Sequence, residues 1–311
     1  MANFTSADVM KLREQTGVGM MDCKKALVAT EGNFEEAVKY LREKGMASAA
    51  KKQSRVAAEG LVKCYINDDK TVGVCVEVNC ETDFVARSDQ FIALVDNIGA
   101  QIAQSNAQTA EELLGEAYYA DNSKTIADLI AEATAQIGEK LSLRRFTKYV
   151  LDGEGLIASY IHMGGTIGVM TKVKSTADKA ALQELAFNLC MQIAASKPQV
   201  INVADVDASQ LDSEREILTA QAKNEGKPEA VIAKMVEGRI HKFYKEVCLL
   251  EQEYVRDGSL SVKQVIAEVE KQTGATITVT RFVRYEMGEG IEKRVDNFAA
   301  EIAAELNAVK G

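Results

Sequence analysis

The sequence predicts an α+β fold: a three-helix N-terminal head, two duplicated α+β core subdomains with small antiparallel sheets, and a helical hairpin inserted in the second. Three observations lead there. Residues 1 to about 45 carry three apolar-periodic stretches separated by glycine turns. Three stretches of the remaining chain recur in the same order, which marks an internal duplication. Between the second and third matched stretches, the second copy is longer by 45 residues. The composition agrees, since 47% hydrophobic and 27% charged residues in a 311-residue chain describe a globular protein of two or three domains. Only two prolines, Pro198 and Pro228, interrupt it, so long helices are free to form.

In the head, Ser6 is placed to cap a helix running to about Gln15, with Val9 and Leu12 on one face. Thr16-Gly17-Val18-Gly19 breaks it, and a second helix covers Met20 to Thr30. After the turn Glu31-Gly32-Asn33, a third runs from about Phe34 to Lys44, with Phe34, Ala37, Val38 and Leu41 at helical spacing. Gly45 stands where a C-terminal cap glycine belongs. Residues 1–58 hold ten basic and seven acidic side chains, so this end is +3 and the rest of the chain −12. The basic excess sits in Ala49-Ala50-Lys51-Lys52-Gln53-Ser54-Arg55, which reads either as a solvated linker or as a contact to an acidic partner surface. The head with its linker spans 1–55.

The first core subdomain, 56–153, opens on EGLVKCYINDDKTVGV (Glu59–Val74) and the second, 154–290, on EGLIASYIHMGGTIGV (Glu154–Val169), matched at an offset of 95. Both read as a β-hairpin. A helix follows in each: Phe91–Ser105 matches Leu182–Ser196 at an offset of 91. Then TIADLIAEATAQIGEKLSLRRF (Thr125–Phe146) matches SVKQVIAEVEKQTGATITVTRF (Ser261–Phe282) at an offset of 136, a helix and then a strand. Each unit therefore reads strand, strand, helix, helix, strand.

The copies differ in two places. The 45-residue excess suits a helical hairpin at about 205–255, one helix from about Asp207 to Asn224 and another from about Pro228 to Leu249. It is expected either to pack on its own body or to serve as an arm for a homodimer. The second difference is the connection after the hairpin strands. Copy one reads Asn79-Cys80-Glu81-Thr82-Asp83-Phe84-Val85-Ala86-Arg87-Ser88, where copy two has only Lys174-Ser175-Thr176-Ala177-Asp178-Lys179. Phe84 and Val85 in a polar connection read either as a hydrophobic staple onto the next helix or as an aromatic knob that wedges into a partner.

Several function classes are disfavoured. The net charge of −9 argues against a nucleic-acid-binding body. Two histidines leave little room for metal or His-based catalysis; His162 sits at a hairpin tip, as a solvated side chain or a partner contact, and His241 on a helix face. Cys23, Cys64, Cys75, Cys80, Cys190 and Cys248 form no C-x-x-C pair and read as reduced thiols. Phosphate-loop, dinucleotide, nucleophile-elbow and metalloprotease motifs are missing. No cofactor is implied and an enzyme is not expected. The N-terminus lacks a charged region followed by an apolar one, and no apolar run approaches the ~20 residues of a membrane span, so a cytoplasmic location is expected.

Six stretches carry a resemblance: LREQTGVGMMDCKKAL (Leu12–Leu27), VNCETDFVAR (Val78–Arg87), SYIHMGG (Ser159–Gly165), AASKPQ (Ala194–Gln199), EGKPEAVIAKMVEGRIHKFYKEVCLLEQ (Glu225–Gln252) and RFVRYEMGEGIEK (Arg281–Lys293). Together they are similar to the bacterial translation elongation factor Ts family, from end to end of the chain; Val18 stands where that family more often has Ala. The resemblance implies a guanine-nucleotide exchange factor that binds elongation factor Tu, promotes GDP release by displacing magnesium, and performs no covalent chemistry. It implies that the head is like ubiquitin-associated domains and that 291–311 forms a C-terminal helix, about Val295 to Val309. It assigns magnesium displacement in the partner to Thr82, Asp83, Phe84 and Val85, and partner contacts to Arg13, Met20, Met21, Lys24 and His162. A non-catalytic binding module that uses only the head is the competing reading; its binding would survive deletion of 59–311.

Overall fold

The computed structural model describes residues 4–226 and 228–292. The helix expected at about Val295–Val309 lies outside them. The head is α1 (Ser6–Thr16), α2 (Met20–Ala29) and α3 (Phe34–Lys52), closed around Val9, Leu12, Cys23, Ala26, Leu27, Ala37 and Leu41. Thr5, not Ser6, caps α1, in a reciprocal capping box with Asp8. The larger departure is α3, which runs eight residues past Lys44 and absorbs most of the expected linker. Gly45 does not end it. A Cβ there would lie 3.1 Å from the Cβ of Ala135, so this glycine lets α3 approach another helix closely.

That helix belongs to the first core subdomain, whose elements are β1 (Glu59–Ile66), β2 (Val72–Cys80), α4 (Asp83–Ala86), α5 (Asp89–Gln104), α6 (Ala110–Gly115), β3 (Ala117–Tyr118), β4 (Asp121–Thr125), α7 (Ile126–Ile137) and β5 (Ser142–Val150). The second has β6 (Gly155–His162), β7 (Ile167–Ser175), α8 (Lys179–Ser196), α9 (Ala208–Asn224), α10 (Glu229–Val247), β8 (Glu253–Tyr254), β9 (Asp257–Ser261), α11 (Val262–Thr273) and β10 (Ile277–Glu286). Each builds one antiparallel three-stranded sheet, β1-β2-β5 and β6-β7-β10. The fold is thus α+β, as expected.

The duplication extends to individual side chains. Phe91, Leu94, Val95, Ile98 and Ile102 of α5 are buried on the first sheet, and Leu182, Leu185, Ala186, Leu189 and Ile193 of α8, each 91 residues on, are buried on the second. Both sheets carry a bulge at matched places, beside Arg144 in β5 and Thr280 in β10. Each copy also has a two-stranded ribbon that the sequence reading missed, β3-β4 and β8-β9. A buried glutamine clamps each. Gln101 accepts from the Tyr119 amide at 2.9 Å and donates to the Ala117 carbonyl at 3.3 Å. Gln192 accepts from the Val255 amide at 2.8 Å and donates to the Glu253 carbonyl at 3.1 Å.

The two sheets pack through a core of Val62, Cys75 and Tyr149 against Ile157, Met170 and Tyr285. These are three repeat-related pairs, so the halves meet about a pseudo-two-fold axis, as subunits do in an isologous dimer. Gly73 and its counterpart Gly168 allow the approach: a Cβ would fall 2.7 Å from Ile157 Cγ2 at the first and 2.4 Å from Val62 Cγ1 at the second.

The hairpin is α9 and α10, with Asp207 capping the first and Pro228 at the cap of the second rather than inside it. Its seam of Leu218, Ala222, Ile232, Val236 and Ile240 is a core separate from those of the subdomains, reinforced by Arg215–Glu237 and Arg239–Glu225 ion pairs at 3.4 and 2.9 Å. Among the described residues no helix is long and apolar enough to cross a membrane.

Candidate functional site

β2 delivers the chain to α4, a single helical turn. Thr82 caps it, accepting from the Val85 amide at 3.3 Å. The segment is held from below by Glu139, whose carboxylate accepts from the Glu81 amide at 3.1 Å, the Thr82 amide at 3.0 Å and the Thr82 hydroxyl at 2.7 Å. Glu81 in turn accepts from the Lys140 amide at 2.6 Å and pairs with Arg55 at 3.2 Å. The Cys80 thiol donates to the Thr82 carbonyl at 3.1 Å; burial, and then the Glu139 carboxylate, push it up to about 12.

On this braced turn the two apolar side chains part company. Val85 is half-buried against the first subdomain's core, and Ala86 is buried in it. Phe84 is 84% exposed, the most exposed large apolar side chain among the described residues. The staple reading therefore holds for Val85 and not for Phe84. Asp83 lies at the surface in an ion pair with Arg87 at 3.2 Å. In the second copy, Asp178 caps α8 directly and no such turn intervenes.

Glu139 was not anticipated from the sequence. The signal was present: it directly follows Gly138, and the residue after the matched Gly274 is Ala275. Knob and brace are thus both confined to copy one.

In the head, Arg13, Met20, Met21 and Lys24 are all exposed, on α1 and α2. The head docks on α7 through α3 and the end of α1. Arg42 pairs with Asp128 at 3.1 Å and with Glu132 at 3.6 Å, and the Gln136 amide group donates to the Thr16 carbonyl at 2.6 Å. The basic segment is largely engaged within the chain: Lys52 donates to the Thr134 carbonyl at 3.4 Å, and Arg55 meets Glu81. Lys51 stays exposed.

His162 ends β6 and is half-buried rather than freely solvated. Its Nδ1 shares a hydrogen bond of 2.9 Å with the Tyr160 hydroxyl, and Tyr160 meets Phe187 of α8 edge-on at 5.6 Å. Beyond it Met163 is 72% exposed. His241 lies exposed on α10 beside Tyr244. No hydrogen bond or ion pair among the described residues joins the head residues, the 82–85 turn and His162, so these are three separate surface features. Among the described residues no cluster of three His, Cys, Asp or Glu side chains is placed to hold a metal ion. Five of the six cysteines are buried and none forms a disulfide.

Comparison with known proteins places these features in context. The family model described as elongation factor TS matches residues 81–289. The elongation factor Ts of Clostridium perfringens (strain SM101 / Type A) is 51% identical over 300 residues, covering 96% of this chain and 98% of that protein. The elongation factor Ts of Clostridium botulinum (strain Eklund 17B / Type B) is 50% identical over 303 residues, covering 97% and 99%.

Proposed function

The chain belongs to the elongation factor Ts family, and from that premise we propose that it releases GDP from elongation factor Tu by inserting Phe84 into the GTPase and displacing its magnesium. The general role, guanine-nucleotide exchange in protein biosynthesis, comes with the family. The observation that carries the finer reading is an exposed phenylalanine on a braced turn that only one of two duplicated subdomains possesses.

An exchange factor works by binding the nucleotide-free partner better than the loaded one, and linkage makes the two ligands weaken each other equally. Magnesium is a large local charge on the phosphates. A side chain that shifts the ion's surroundings loosens the nucleotide without covalent chemistry. Phe84 suits this because its burial is unspent: taking it from water into a partner is worth roughly 1.5–3 kcal/mol. Thr82 and Val85 hold the turn, and Asp83 brings a carboxylate beside the wedge. Arg13, Met20, Met21 and Lys24 form a second contact from the head, and His162 a third. In this reading the partner is a protein and no nucleic acid is contacted directly, the chain works in the cytoplasm, and the hairpin offers Ile217 and Val231, both exposed, to a second copy.

The test is release of fluorescent GDP from elongation factor Tu. Substoichiometric chain should accelerate it over many turnovers, and Phe84→Ala should be slow even at saturating dose. Unchanged acceleration by that variant would sink the wedge.

A further inference from the structure

The pseudo-two-fold axis makes each half a control for the other, and one comparison is unbalanced. In the second half, Arg284 and Lys197 both reach the Glu286 carboxylate at 2.9 Å. Arg145, which crosses from β5 to lie over the Tyr285 ring, pairs with the buried Glu77 at 2.6 Å. Every cation there has an internal carboxylate.

The matched site across the axis keeps two of these three cations, has Asn106 where Lys197 stands, and loses both carboxylates. Arg284 corresponds to Lys148 and Arg145 to Arg281, whereas Glu286 corresponds to Val150 and Glu77 to Lys172. Lys148 donates to the Ser105 carbonyl at 2.8 Å and makes no ion pair among the described residues. Burial holds its ammonium below the ordinary lysine range, with only Glu116 opposing. Glu116 is itself engaged by Gln101 and Ser105 side chains at 3.1 and 2.7 Å. The Arg281 side chain is exposed and makes no hydrogen bond or ion pair among the described residues, and Lys172, opposite it on β7, is taken up by Asp152. Lys148, Val150 and Arg281 line a groove of about 450 Å³ between β5, β10 and the connection after α5.

We propose that this groove, with Lys148 and Arg281 in its walls and Val150 exposed beside them, binds an oxyanion, a carboxylate or phosphate group that takes the place of the carboxylates Glu77 and Glu286 supply at the matched site. The guanidinium offers a planar donor fork and Lys148 has donors to spare, a pairing that favours charge-assisted bonds to oxygen. Asn106, Gln108 and Thr147 add neutral polar groups around it. The oxyanion comes either from a free small molecule or from an acidic side chain of the partner GTPase; only the second source rests on the function proposed above.

Two variants of the full chain test the site, Arg281→Gln and Val150→Glu. The second restores the carboxylate that Glu286 provides in the other half. Both positions are exposed, so the fold tolerates the changes. Titration calorimetry with inorganic pyrophosphate at low ionic strength reads the first source, and association with elongation factor Tu the second. A loss of about tenfold or more in pyrophosphate affinity in both variants supports a small-molecule site. The same loss in association, without pyrophosphate binding, supports a partner carboxylate. If the chain binds no pyrophosphate and both variants associate as the unsubstituted chain does, the proposal is overturned. If the unsubstituted chain does not associate at all, the exchange reading falls and the pyrophosphate arm alone decides the site.

Discussion

Replacing Glu139 by alanine should impair nucleotide release while leaving Phe84 untouched. Three donors converge on that carboxylate, two amides and the Thr82 hydroxyl, at 3.1, 3.0 and 2.7 Å. Hydrogen bonds to a charged group contribute about 1.5–3 kcal/mol when buried. Glu139 is half-buried, so water replaces part of what is lost, and about 1–2 kcal/mol of ordering disappears. That is a factor of roughly 5–30 in the equilibrium constant between the braced turn and its unbraced forms. Because docking draws on the braced fraction, the apparent affinity falls by at most the same factor. In stopped-flow release of fluorescent GDP from elongation factor Tu, the half-saturating dose of Glu139→Ala should rise, by up to about 30-fold, with the plateau rate kept. Phe84→Ala should show the opposite split, a lowered plateau. Glu139→Gln, which retains one accepting oxygen, should fall between Glu139→Ala and the parent. If Glu139→Ala follows the parent's dose dependence, the carboxylate does not position the knob and the reasoning fails.

Three further outcomes follow from the packing. Glu77 is fully buried and accepts from Arg144 at 2.8 Å, Arg145 at 2.6 Å and the Gly288 amide at 2.8 Å; burial alone would raise its carboxyl, but these donors hold it below the ordinary 4.5. A depressed folded value means stability that is fully present above the unfolded value and lost as pH falls through the folded one. Glu77→Gln should therefore cost about 3–5 kcal/mol at neutral pH, and the Tm gap to the parent should close as pH drops below 4.5; a gap independent of pH would refute the assignment. Gly168→Val drives new atoms into Val62 and should destabilise by about 1–3 kcal/mol in urea, with Gly73→Val comparable if the pseudo-two-fold packing is right. Gln192→Leu strands the Val255 amide and the Glu253 carbonyl and should lower stability by about 1–3 kcal/mol, whereas an unchanged unfolding midpoint would dismiss the clamp.

What was legible in the sequence, and what was not, divides along a physical line. Repetition made the fold class readable, because matched apolar positions such as Phe91 and Leu182 do the same packing in both copies. Local signals fared less well wherever tertiary contact overrode them. Gly45 has the composition of a helix stop, yet α3 continues because the glycine is needed against Ala135. Lys52 and Arg55 look like a solvated charge run, yet their partners, Thr134 and Glu81, are about 80 and 26 residues away. No short-range pattern announces such pairings. The candidate site falls between these cases. Phe84 was visible as a difference between copies, but the carboxylate that accepts from its turn, Glu139, is distant in sequence by more than 50 residues. Comparing the copies once more, with the fold known, turns the same reasoning around. What the halves share is what closes their two sheets on each other, the glycines and the six side chains of the interface. What they do not share lies at the surface: Phe84 and its brace, the hairpin, and the groove where Val150 and Lys172 replace two carboxylates. Selection for packing explains the shared set, whereas a duplicated scaffold gains nothing structural from leaving Lys148 and Arg281 without carboxylates at one of two matched sites. The asymmetry is therefore the argument for treating these surfaces as contacts, and Phe84→Ala and Arg281→Gln are the variants that test it.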